Sequence, residues 1–87
     1  MYLYLGQAVS VPEAAVLGIF DLDNTSWSFR TRRFLERAQE EGRIEYVGGD
    51  LPRSFLLCQE RGEPPRIFLC QSNTATLLRR AQQGGSE

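Results

Sequence analysis

The chain has 87 residues, a formal net charge of −1 and 41% hydrophobic residues, which is enough for one domain and no second. All ten basic residues are arginine, and neither lysine nor histidine occurs. Imidazole as general base or metal ligand, and an amine for Schiff-base chemistry, are therefore excluded.

No run is long enough to cross a membrane, and the opening Tyr2 to Leu5 has no basic stretch or small-residue cleavage site around it. A cytoplasmic protein is the expectation. Residues 2–5 alternate aromatic and leucine, as a two-faced strand does, and Gly6-Gln7 turns it. Residues 8–11 make the returning strand, stopped by Pro12. The continuous apolar run at residues 16–20 predicts a strand buried on both faces.

Ser26 or Ser28 can cap the clearest helix, which Gly42 stops. Trp27, Thr31, Phe34, Leu35 and Ala38 form its inward stripe. Arg30, Arg33 and Arg37 fall on a neighbouring outward face, with Glu36, Glu40 and Glu41 within reach to offset their mutual repulsion. Residues 43–47 alternate as a half-exposed strand, and residues 48–53 read as a loop.

Residues 54–60 and 66–70 predict a hairpin of two central strands. Ser72, Asn73 or Thr74 caps a short last helix with Ala75, Leu77, Leu78 and Ala81 apolar and Arg79-Arg80 outward. The expected architecture is an α+β domain over residues 1–82, with a flexible tail at 83–87. It has about six mostly antiparallel strands, one central helix and one short C-terminal helix. A chain this small buries only about 60–65% of its unfolded surface, which favours assembly with copies of itself.

Cys58 and Cys70 are too few to complete a four-ligand zinc site in one chain without histidine. Both lie in apolar runs and are expected as reduced core residues, within about two positions of register across the hairpin.

Residues 18–25 present an apolar strand ending in Asp21-Leu22-Asp23-Asn24-Thr25, which looks like the nucleophile motif of haloacid-dehalogenase-type phosphatases. There the first aspartate would attack phosphorus and the second would serve as acid and base, with magnesium screening charge. The supporting lysine, the later acidic pair and the length of that fold are missing. Asp, Asn and Thr are also favoured at turns and helix caps, so a turn is the preferred reading and no catalytic residue, metal or cofactor is assigned.

Blocks spread along the chain resemble the bacterial extracellular-matrix regulators of the RemA/RemB type, closest to the RemB branch. They are Met1-Tyr2-Leu3-Tyr4-Leu5-Gly6, Ile19-Phe20-Asp21-Leu22, Thr25, Thr31-Arg32, Phe34-Leu35 and Gly42. Leu51-Pro52-Arg53-Ser54-Phe55 and Thr76-Leu77-Leu78-Arg79-Arg80-Ala81 complete the set. The resemblance implies a LytTR-like fold and a non-enzymatic, DNA-associated transcriptional regulator of biofilm-matrix genes. It also implies a ring-like homo-oligomer that presents arginines to double-stranded DNA.

The RemA branch carries an arginine pair in the loop that reads Asp50-Leu51-Pro52-Arg53 here, so Arg53 is its one basic residue. A further RemA arginine falls near Ala15. Arg53 is thus the first candidate for a phosphate contact, and Arg30, Arg33 and Arg37 are the next. The alternative is a protein-interaction module without DNA binding; a magnesium-dependent phosphohydrolase using Asp21 and Asp23 ranks below both.

Overall fold

A computed structural model describes residues 1–22, 29–48 and 51–85, and the side chains of these as far as residue 82. The candidate caps Ser26 and Ser28, together with Trp27, Asp23, Asn24, Thr25 and Asp50, lie outside the described residues. The order is β1 (Tyr2–Gly6), β2 (Val9–Pro12), a 3₁₀ turn (Glu13–Ala15), β3 (Val16–Asp21) and α1 (Phe29–Glu40). Then come β4 (Ile44–Val47), β5 (Ser54–Cys58), β6 (Arg66–Cys70) and α2 (Thr74–Gly85). The α+β class follows, as the residue pattern predicts.

β1 and β2 form an antiparallel hairpin, and the other four strands form one sheet in the order β3-β5-β6-β4. β5 pairs antiparallel with both β3 and β6, while β4 runs parallel to β6. β3 and β4 are therefore parallel to each other at opposite edges, and α1 carries the chain from one to the other. A parallel return of this kind needs a crossover, and a helix is the usual one.

The sheet has two unlike faces. Leu56, Cys58, Phe68, Cys70 and Val47 pack against Leu3, Leu5 and Val11 of the hairpin and Leu77 of α2. The alternation in β1 explains the seating: Leu3 and Leu5 are buried while Tyr2 and Tyr4 are exposed. On the opposite face Phe55 and Ile67 pack against Ala38 of α1, with Leu35, Ile44, Leu57 and Leu69 partly buried around them.

Helix ends follow local chemistry. α1 closes with Gly42 at φ +72°, its N–H bonded to Gln39 O and the Arg43 N–H to Ala38 O. That is a Schellman closure, which favours glycine at the left-handed position. Of the three candidate caps for α2, Asn73 serves: its Oδ1 accepts from the Thr76 N–H at 2.8 Å. α2 continues to Gly85, beyond the expected start of the tail.

Three expectations are corrected by packing. β3 is an edge strand, not one buried on both faces, and its Leu17 is 59% exposed. Cys58 pairs with Arg66 and Cys70 with Ser54, so the cysteines lie at opposite ends of the hairpin instead of nearly facing each other. Both carry free thiols and are buried. Arg80 is not simply outward: it donates to Tyr4 O at 3.2 Å and lies 5.2 Å from the Tyr4 ring centroid, joining α2 to β1.

Candidate nucleic-acid interface

α1 has helical spacing that sets Arg30, Arg33 and Arg37 within one narrow arc, spread over about 10 Å of axis. All three are exposed, and they line an open depression of about 420 Å³ together with Phe29 and Phe34. The Arg33 guanidinium lies 5.6 Å from the Phe29 ring centroid, a cation–π contact. Within 4 Å, no carboxylate pairs with Arg30, Arg33 or Arg37 among the described residues. Glu36 and Glu40 border a second depression with Arg33 and Arg37, but they lie farther off than ion-pair distance.

Three other arginines are committed to structure, whereas Arg32, Arg61 and Arg79 are exposed and, like the trio, form no ion pair among the described residues. Arg43 binds Glu41 at 2.7 Å and donates to Pro65 O, while Arg66 pairs with Glu45 across β4 and β6. Arg80 serves the α2–β1 contact described above. What distinguishes the α1 row is that its three arginines lie together on one helix face, with Glu36 and Glu40 nearby but beyond ion-pair distance.

The cost of that arrangement is visible in the helix itself. α1 has no acidic residue in its first turn, where the positive end of the helix dipole favours one. Arg30 and Arg32 stand there instead, and Arg33 and Arg37 are like charges four apart. Local stability alone would favour the opposite charges.

Arg53 lies elsewhere. It is exposed at the entry to β5, where its N–H bonds Cys70 O and its carbonyl accepts from the Leu22 N–H. Its backbone therefore ties the ends of β3, β5 and β6 together, close in the fold to Asp21, which pairs in register with Ser54. Both Arg53 and Asp21 engage in further interactions, and neither stands free. Arg53 does not line the depression that gathers Arg30, Arg33 and Arg37.

Two features escape a reading by spacing. Phe34, taken as inward, sits at the border of the stripe and is 37% exposed, because α1 turns Ala38 and Leu35 toward the sheet. Phe20 of β3 comes beside it: a second depression of about 270 Å³ is lined by Phe20, Arg30, Thr31, Phe34, Phe55 and Leu57. Exposed phenylalanines adjoin the arginine row from the helix side and the strand side.

Carboxylates collect at the far end of the hairpin. Glu45, Glu60 and Glu63 line a cleft of about 420 Å³ with Arg66, floored by Val11, Cys58 and Phe68. These three carboxylates lie apart from the arginine row, whereas Glu36 and Glu40 border it. Burial pushes the Cys58 thiol up to about 11, helped by the neighbouring Cys70 and Glu60. Burial raises Cys70 to about 11 as well, against a smaller lowering by Arg80. Thiols held protonated are poor nucleophiles.

For the phosphohydrolase alternative, Asp21 is half-buried and engaged, and Asp23 lies outside the described residues. Among the described residues no group of three His, Cys, Asp or Glu is placed to hold a metal. No helix among them is long and apolar enough to cross a membrane. Compared with known proteins, the chain matches no family model, and no curated protein matches it significantly.

Proposed function

We propose that the protein is a non-enzymatic, DNA-associated regulator that works in the cytoplasm as a homo-oligomer, with the α1 arginine row as its phosphate-binding surface. The observation that carries this reading is the trio Arg30, Arg33 and Arg37, exposed, aligned on one helix face and without an ion pair among the described residues, while Arg43, Arg66 and Arg80 are engaged. Guanidinium forks bind phosphate oxygens bidentately, and each such contact releases condensed counterions. The likeness to biofilm-matrix regulators supports the same assignment and adds matrix genes as its targets. Arg53 takes a secondary part, at the end of the sheet where α1 begins.

Assembly is supported by the free edge of β3. Leu17 and Leu78 are 59% and 50% exposed, and both line a depression of about 350 Å³ with Val16 and Ile19. Repetition of the arginine row around a closed oligomer turns a few contacts per subunit into a band of them.

The test is a titration of duplex DNA at ~50 and ~200 mM salt. The expected result is affinity that falls steeply with salt, varies little with sequence and disappears in the Arg30→Ala/Arg33→Ala/Arg37→Ala triple variant. Light scattering is expected to give a multiple of the 9.9 kDa chain. No binding to any duplex at the lower salt would overturn the DNA reading in favour of a protein-interaction module.

A further inference from the structure

Phe20 is an edge-strand side chain with 43% of its surface exposed, yet its ring is held in place. It stacks on Phe55 with centroids 4.7 Å apart and planes 18° from parallel. The strand is shaped to receive it: a Cβ at Gly18 would come within 2.9 Å of the Phe20 ring, so the ring leans over the bare backbone there. Phe55 stacks on the ring, and 43% of the Phe20 surface still meets solvent.

Across the groove stands α1, with Phe34 at its border; Phe29, 73% exposed at the start of α1, lines the adjoining depression with the arginine row. Arg30 and Phe34 line both depressions, so the aromatic groove and the arginine row form one continuous surface. An apolar ligand would leave three guanidinium groups facing it without a counter-charge. An anion alone would have no use for the rings. Unpaired nucleotides satisfy both requirements, since every base has a π-face and every linkage a phosphate.

We propose that the groove between α1 and β3 binds unpaired bases of a single-stranded nucleic acid, with Phe20 and Phe29 as stacking platforms. Arg30, Arg33 and Arg37 hold the phosphates between the stacked bases. This rests on the reading of the row as a phosphate-binding surface and adds to it the state of the strand it prefers. In a duplex the base faces are already stacked and closed to the phenylalanines, so duplex binding uses the arginines without the rings.

The test compares three fluorescent probes at one salt concentration: an oligo-dT strand, an abasic strand of the same length, and a duplex. The abasic strand keeps the phosphates and lacks the bases. The expected result is about tenfold tighter binding of oligo-dT than of the abasic strand. Phe20→Leu/Phe29→Leu keeps the apolar bulk, removes the rings and is expected to erase that difference while duplex binding persists. Gly18→Ala, which displaces the Phe20 ring, is expected to act in the same direction with less effect. Circular dichroism confirms the fold of each variant.

Equal binding of oligo-dT and abasic strands, with duplex still bound, would overturn this inference alone. Failure of all three probes to bind would overturn the phosphate-binding row and this inference with it. Conversion of an oligomer to monomers by Phe20→Leu/Phe29→Leu would assign the rings to a contact between copies, and overturns it too.

Discussion

The two faces of the four-stranded sheet are covered to different degrees. The hairpin and α2 close one face over Leu56, Phe68 and Cys70, and the largest fully buried side chains except Ile67 gather there. α1 shelters the other around Phe55 and Ile67, but Phe20, Phe34 and Tyr46 stay exposed beside it. The closed face contributes most of the apolar burial, and the open face carries the unpaired arginines. Apolar burial and the exposed arginines are thus divided between opposite sides of a sheet only four strands wide, and each side can be altered with limited effect on the other.

The largest expected effect lies at the centre of the closed face. Leu56 is completely buried, so Leu56→Ala is expected to cost about 3 kcal/mol in a denaturant titration. Phe34→Ala, on the open face, should cost roughly 1 kcal/mol, because its ring already meets water. Equal losses would break the division between the faces.

A smaller effect concerns pH, and it reports on the closed face through Cys58 and Cys70. Burial raises both thiols from 9.0 to about 11, so the folded chain holds these protons more tightly than the unfolded one. The resulting stability is complete below pH 9 and is lost as pH climbs to about 11. Unfolding midpoints measured across that window should decline, and the decline should be shallower in Cys58→Ser/Cys70→Ser. An equally steep decline in that variant would sharpen the comparison by assigning the loss to other groups.

The arginine row should behave in the opposite sense. Replacing Arg30, Arg33 and Arg37 by alanine removes like-charge repulsion and misplaced cations at the start of α1. The same triple variant that loses DNA should therefore unfold a few tenths of a kcal/mol later, as functional surfaces often do when simplified. A marked destabilisation would show the row to be structural after all.

Much of this division can be read in the residue pattern, and the exceptions have physical causes. β5 and β6 carry apolar residues on both sides and are indeed central, with β4 half-exposed at an edge. β3 carries the same kind of run but has one neighbour, because apolar content reports contact with anything and not specifically with a strand. The outward arginines follow from helical spacing alone. Phe20 could not be joined to them, since that depends on how a strand and a helix distant in the chain come together. The cysteine register failed for a local reason: the turn over residues 59–65 keeps Cys58 opposite Arg66, with Gln59 bonded to Glu63 O inside it.

A gain in stability is expected at the hairpin turn of the closed face. Gln7 and Ala8 both have positive φ, 52° and 62°, in a turn for which Asn-Gly is the favoured pair. Gln7→Asn/Ala8→Gly should relieve that strain and raise stability by about 1 kcal/mol, measured by thermal unfolding. No change in nucleic-acid affinity should accompany it, since the turn belongs to the other side of the molecule.

The crossover from β3 to β4 has a consequence for how the molecule comes into being. The ribosome makes α1 before either of the strands that pair between the two sheet edges, β5 and β6. The emerging arginine row therefore has nothing to lie on until residue 70 has left the exit tunnel. β5 and β6, joined by a short turn, then close quickly, whereas the distant partners β3 and β4 must be gathered onto them at a greater entropic cost. The proposed nucleic-acid surface is thus completed only with this late pairing. Incomplete chains, which carry every arginine of the row, cannot hold it in shape.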